Sequence, residues 1–204
     1  HLRGQSINKV QMTLDSIRGS LVHTTSLTIA NPNDGRPDLA PAGVLVLLYA
    51  KDGDVCVLLN KRTDRVEHHK GEISFPGGAR DPQDATILDT ALREAYEEMG
   101  IHRKDVEILC RLDQVTTRSL FSITPFVGII PTDYPFQASG IEVSEILEVP
   151  IPVLLDTSNW RETKRAGDTE RNREYAYAYG EHLIWGATAR MMTQFLGLIA
   201  PGLR

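Results

Sequence analysis

The sequence predicts an α/β fold in which a mixed β-sheet is layered between helices. Three observations predict it. The apolar run Val44 to Tyr49 reads as a buried strand, and Asp52-Gly53 turns it into a hairpin partner, Val55 to Leu59. Leu88, Ala91, Leu92, Ala95 and Met99 share one face at helical spacing. A second strong helix, Trp185 to Leu198, ends before Pro201, so strands both precede and follow helices.

The remaining elements follow in order. Ile7, Val10, Leu14, Ile17 and Leu21 predict an amphipathic helix over 5–22. The Asn, Asp, Gly and Pro of 31–41 mark a loop, and the charged stretch Asn60 to Lys70 marks another. Phe75-Pro76-Gly77-Gly78 combines a rigid proline with two permissive glycines. The central helix takes its N-terminus from Asp81-Pro82 or from the competing cap Asp84, and Gly100 ends it. Val106 to Cys110, Ile123 to Ile130 and Glu148 to Ile151 read as strands, while Glu142 to Leu147 is too short to assign. Tyr175, Tyr177 and Tyr179 alternate as one packing face of a strand. With no repeat or low-complexity block, 1–204 is expected to be a single domain: an N-terminal helix and loop over 1–40, then a core over 41–204.

Composition excludes several classes of function. The chain is 41% hydrophobic and 24% charged, which is globular and not disordered. Its 22 Lys and Arg against 27 Asp and Glu leave a net charge of −5, the wrong sign for coating nucleic acid. No apolar run reaches the length of a membrane span, so no membrane partner is expected. Two distant cysteines, Cys56 and Cys110, make neither a disulfide framework nor a zinc site. The chain opens at His1 without signal-peptide character, which points to a shortened or tagged start, and it ends without a Ser-Lys-Leu address. The expected location is the cytoplasm.

The chemistry gathers on the central helix, at Arg93-Glu94-Ala95-Tyr96-Glu97-Glu98. Three carboxylates at i, i+3 and i+4 repel one another, near a C-terminus whose dipole disfavours them. One reading is a solvated acidic face. The other is a hard divalent cation, Mg²⁺ or Mn²⁺, held by carboxylate oxygens, with the Gly77-Gly78 turn offering a carbonyl nearby. That arrangement suits metal-assisted attack on phosphorus.

Gly78-Ala79-Arg80-Asp81-Pro82-Gln83-Asp84, followed after eight residues by Arg93-Glu94-Ala95-Tyr96-Glu97-Glu98-Met99-Gly100-Ile101, resembles the Nudix box. It departs in having Asp84 for the usual Glu and one extra residue before Arg93. The flanks resemble the coenzyme A pyrophosphatase subgroup. Leu58, Leu59, Arg62, Gly71 and Phe75 to Gly78 keep its spacing, with Asn60 for Thr, Thr63 for a small residue and Glu67 for an Arg. Glu142 to Pro150 and Leu183 to Arg190 also look like that group.

The resemblance implies an α/β/α sandwich and hydrolysis of a diphosphate linkage. Glu94, Glu97 and Glu98 would bind the metals, with the Gly78 carbonyl as a further ligand. Arg93 would orient the carboxylates, and Glu145 is a candidate general base, with a solvated strand end as its alternative. Arg62, Lys70 and Arg80 are candidates to grip phosphates, or are surface charges. Phe75 is a stacking face for the substrate or a core anchor, and Trp185 reads as a core anchor. His68-His69 read as loop residues without a third ligand. The implied substrate is CoA or acyl-CoA, giving 3′-phosphoadenosine 5′-phosphate and a 4′-phosphopantetheine product. Another nucleoside diphosphate-linked molecule such as ADP-ribose is the first alternative, and a non-catalytic binding module is the second. A homodimer is compatible with the sequence and is left open.

Overall fold

The computed structural model describes residues 12–22, 38–63, 71–163 and 174–201. Its centre is β1 (Ala40–Lys51), which pairs in parallel with β7 (Phe121–Ile129) from Ala40↔Phe121 to Leu48↔Ile129. β2 (Asp54–Arg62) returns antiparallel across the Asp52-Gly53 turn, pairing from Leu48↔Val57 to Lys51↔Asp54. Beyond Val57 β2 leaves β1, while from Cys56 onward it pairs with β8 (Val143–Pro150) on its other edge. The two-residue β3 (Ile73–Ser74) pairs with β2, and β4 (Gly77–Ala79) pairs with the free first half of β1. β5 (Glu107–Arg111) and β6 (Val115–Thr116) both pair with β7. The sheet is therefore mixed.

Period-2 alternation divides the core. Val44, Val46 and Leu48 enter one apolar layer with α1 (Leu14–Val22), α3 (Ile151–Leu155) and α4 (Gly186–Ile199). Leu45, Leu47 and Tyr49 enter the other, against α2 (Ile87–Met99). β1 is buried on both faces, which is why its sequence runs apolar without alternating. The result is the α/β/α sandwich expected. A smaller antiparallel sheet, β9 (Trp160–Thr163), β10 (Glu174–Tyr179) and β11 (His182–Ile184), adds Tyr177 and Ile184 to the α4 layer. Among the described residues, no helix is long and apolar enough to cross a membrane.

Several expectations change. β1 begins at Ala40, so Ala40 and Pro41 belong to a strand and not to the preceding loop. β2 likewise continues through Asn60 to Arg62. Val143 to Leu147 and Glu148 to Pro150 become one strand, β8, because β2 supplies a ladder along its whole length; Glu142 stays in the turn before it and Ile151 already starts α3. The described part of the N-terminal helix, Leu14–Val22, docks through Ile17 and Leu21, and 5–11 lie outside the described residues. Trp185 is no core anchor: it is the N-cap of α4 and stays 51% exposed.

The start of α2 is also corrected. Neither Asp81-Pro82 nor Asp84 caps it. Thr86 does, because Thr86-x-x-Asp89 satisfies two helix-end donors reciprocally: Thr86 Oγ1 accepts from Asp89 N–H at 3.1 Å, and Asp89 Oδ2 accepts from Thr86 N–H at 2.9 Å. The first turn of α2 lies directly on β1 at Gly43, where an added Cβ would stand 2.4 Å from the Ile87 carbonyl oxygen. Thr86→Ala should lower stability by about 1 kcal/mol, read as a lower urea midpoint with an unchanged slope.

Candidate active site

α2 turns its apolar face to the sheet and carries its carboxylates along the flank facing β2 and β4. Glu98 is buried, at 2% exposed, among groups from β2 and β4. Its Oε2 accepts from Asn60 Nδ2 at 3.0 Å and from the Gly77 N–H at 3.1 Å. Arg62 Nη1 stands 3.7 Å from Oε1. Residues 60 and 62 share one face of β2, so both reach this carboxylate. Burial pushes the Glu98 carboxyl up to about 8, against the pull of the Gly77 N–H and the Arg62 charge.

Glu94, one turn earlier, lies over the Gly78 backbone. An added Cβ there would come within 2.6 Å of the Glu94 carboxyl carbon, so only glycine lets this carboxylate sit against β4. Burial raises its carboxyl as well, with Arg93 opposing. Glu97 is more exposed.

Arg93 ties the cluster together. Its Nε and Nη2 grip Asp84 in a fork at 3.1 and 3.0 Å, and Nη1 donates to Glu94 at 2.9 Å and Glu97 at 3.0 Å. Nη2 also reaches the Ala79 carbonyl at 3.3 Å. The Arg93 fork draws the Asp84 carboxyl down to about 2. Asp84 accepts from Thr90 Oγ1 and from the Asp81 N–H too, which is why it is not free to cap α2.

The other candidates divide. Arg80 donates Nε and Nη2 to the Asp84 carbonyl oxygen, bracing the turn before α2. Arg62 has its Nε buried without a hydrogen-bond partner among the described residues, close to Glu98. Phe75 is 1% exposed and packs in the α4 layer, so it offers no stacking face to a substrate. Lys70, Glu67, His68 and His69 lie outside the described residues.

Glu145 is placed away from the cluster. It pairs with Lys61, so it points to the sheet face opposite Asn60, where His182 Nε2 stands 3.3 Å from its carboxylate. There it lines a groove of about 660 Å³ with Lys51 and Tyr179. Glu142 is the carboxylate that approaches α2: its charge adds to the upward push on both Glu94 and Glu98. The loop before it is latched to the end of the helix by Ser139 N–H to the Glu98 carbonyl and Gln137 N–H to the Met99 carbonyl. The resemblance points to Glu145 and offers nothing on Glu142, which stands in the turn before β8. Asn60 and Ser74 were likewise missed as site residues, since nothing in a lone polar residue of an apolar strand says what it faces.

The donor set is all carboxylate and carbonyl oxygen, the chemistry that suits Mg²⁺ or Mn²⁺. The glycine cradle under Glu94 fits such a use. Among the described residues, no three His, Cys, Asp or Glu side chains are already gathered closely enough to enclose an ion.

A family model described as the NUDIX domain matches residues 39–173, more than half of the chain and the whole of the site just described. The chain belongs to the Nudix family. It is 36% identical over 153 residues to a protein of Photorhabdus laumondii named "Uncharacterized Nudix hydrolase NudL", covering 75% of this chain and 81% of that one. The protein of that name from Yersinia pestis is 31% identical over 186 residues, covering 91% and 89%. A MutT/nudix family protein from Enterococcus faecalis shares the fold, at TM-score 0.51 and 13% identity, over 93% of this chain and 75% of that one. The Nudix chain is thus a hydrolase of diphosphate linkages.

The Asp84–Arg93 fork makes stability depend on pH in a defined direction. Because the folded carboxyl lies near 2, below its ordinary value, its contribution is complete above about pH 4 and is lost as pH falls toward 2. Wild type should therefore exceed Asp84→Asn in urea midpoint at pH 6, and the gap should close between pH 4 and pH 2. A gap independent of pH would remove the fork as its source.

Proposed function

We propose that this Nudix hydrolase cleaves the diphosphate of CoA or acyl-CoA by attack of water on phosphorus. One phosphorus–oxygen bond forms and the bridging one breaks, giving 3′-phosphoadenosine 5′-phosphate and (acyl-)4′-phosphopantetheine. The observation that carries the reading is Arg62. It belongs to the Leu58-Leu59-Asn60-Lys61-Arg62 and Phe75-Pro76-Gly77-Gly78 pattern that resembles the CoA subgroup, and it stands 3.7 Å from Glu98 with its Nε unpartnered among the described residues. A partly exposed guanidinium beside the carboxylate helix suits an incoming phosphate.

Glu94, Glu97, Glu98 and the Gly78 carbonyl would hold Mg²⁺ or Mn²⁺, which when bound neutralises diphosphate charge and lowers the pKa of the attacking water. Arg93 holds Glu94 and Glu97 in register with Asp84. Glu142 is the candidate to accept the proton of the attacking water, in place of Glu145. The departure at Asn60 does not count against CoA, because its amide is spent on Glu98 and not on substrate. ADP-ribose remains the competing substrate on account of Glu67, an anion where the subgroup pattern carries a cation.

The deciding measurement is a substrate panel of CoA, dephospho-CoA and ADP-ribose, each with Mg²⁺ and with Mn²⁺. CoA should give the highest kcat/KM, and dephospho-CoA should be poorer. A preference for ADP-ribose would discard the CoA reading and leave the hydrolase. Glu98→Gln should lower kcat at least about 100-fold. Glu142→Gln should cost about 10-fold or more, while Glu145→Gln should stay within about twofold of wild type; the reverse order would restore Glu145.

A further inference from the structure

The structure assigns Ser74 and Asn60 as positioning residues for Glu98, a two-step hydrogen-bond relay that runs from β3 through β2 to the metal-binding flank of α2. The assignment rests on the hydrolase reading and names the groups that aim its most deeply buried carboxylate.

Asn60 is 0% exposed in the middle of an otherwise apolar strand. A buried amide is costly unless each end is satisfied. Both ends are. Ser74 Oγ donates to Asn60 Oδ1 at 2.7 Å, and Asn60 Nδ2 donates to Glu98 Oε2 at 3.0 Å. Asn60 and Ser74 are direct cross-strand partners, so the short β3 exists in register with the residue it orients. β3 is itself held from the far layer, where Thr188 Oγ1 of α4 donates to the Ile73 carbonyl at 3.0 Å.

The polarity of the relay follows from the groups. Glu98 Oε2 already accepts from the Gly77 N–H, and Asn60 presents Nδ2 to the same oxygen with Oδ1 turned away. Oδ1 then needs a donor, and Ser74 is the donor the described residues provide. Together with the Gly77 N–H, the relay fixes Oε2 and leaves Oε1 toward Arg62. Neither Asn60 nor Ser74 needs to touch substrate. Their effect should therefore appear in metal binding and in kcat, with KM for the substrate little changed.

The test compares Ser74→Ala, Ser74→Thr, Asn60→Leu and the double variant Asn60→Leu/Ser74→Ala, with Glu98→Gln as reference. Two readouts are taken: Mn²⁺ affinity of the substrate-free protein by paramagnetic resonance titration, and kcat and KM in Mg²⁺. Groups that orient a metal ligand are worth about 10- to 100-fold in affinity or rate. Asn60→Leu should fall in that range, and Ser74→Ala should lose several-fold in both readouts with KM within about twofold. Ser74→Thr, which keeps the hydroxyl, should stay close to wild type. Since Ser74 acts through Asn60, the double variant should be no worse than Asn60→Leu alone. Multiplying losses, or a Ser74→Ala indistinguishable from wild type while Glu98→Gln loses Mn²⁺, would overturn the relay and leave the hydrolase reading intact. If Glu98→Gln itself keeps full Mn²⁺ affinity, the metal role of Glu98 falls and the relay with it. Should Asn60→Leu fail to fold, the contrast between Ser74→Ala and Ser74→Thr still decides.

Discussion

The structure depends on keeping one carboxylate, Glu98, almost out of water between a helix and a sheet. Removing an ion from water costs several kcal/mol unless donors replace the hydration. Here they come from Asn60 of β2 and Gly77 of β4, with the Arg62 charge nearby. These segments converge because β1 changes neighbours along its length. It pairs with β2 at Leu48 to Lys51 and with β4 at Ala42 to Val44. β2 therefore splays from β1 beyond Val57, and Phe75-Pro76-Gly77 enters the wedge, anchored by Leu45 N–H to the Pro76 carbonyl at 2.9 Å. At Gly77 any side chain would meet the Gly43 carbonyl oxygen at 2.3 Å, so the wedge admits backbone only. The glycine pair serves a close approach of chain to chain as much as the site above it.

A second constraint is charge. Glu94, Glu97 and Glu98 on one helix would repel, and the helix C-terminus makes this worse. Arg93 offsets part of it by placing one guanidinium between Asp84, Glu94 and Glu97. The Asp84 end of this fork is the firmer one, since that carboxylate is held by Thr90 and the Asp81 N–H as well. Arg93 is thereby fixed from behind, and its remaining nitrogen is aimed at Glu94 and Glu97. The shorter Asp and the extra residue before Arg93 are compatible with this grip. The Asp81-Asp84 turn, braced by Arg80, brings the carboxylate to the guanidinium.

What could be read from the sequence was whatever depends on periodicity and composition. The apolar face of α2, the Asp52-Gly53 hairpin and the doubly buried β1 all follow from local pattern, and so does the carboxylate run itself. The cap of α2 was misread because Pro82 and Asp84 resemble a helix start, whereas Thr86 and Asp89 satisfy each other three residues apart. Trp185 was misread because size suggests burial, yet it sits at a strand-to-helix junction that faces outward. Asn60 was read as a departure from a substrate pattern. Its meaning lies in Glu98, thirty-eight positions away, and no local rule reaches that far.

Glu142 and Glu145 show the limit most clearly. They stand three residues apart, Glu142 in the turn just before β8 and Glu145 within it, with the same charge. In a regular strand three residues separate opposite faces. Here the ladder slips between Lys61 and Arg62, so that Lys61 faces Glu145 while Arg62 faces Val143. A bulge of this kind re-aims side chains next to it. The irregularity falls where β2 carries Asn60 and Arg62 toward Glu98, and where Thr63 N–H takes the Glu142 carbonyl at 2.9 Å. The ladder thus changes at the residue where the site begins. Glu145 goes with the regular ladder to the His182 side, and Glu142 goes with the loop latched onto the end of α2. Which of the two acids lies on the α2 side is thus decided by where β8 begins, and β8 is paired along its length to the same β2 that aims Glu98.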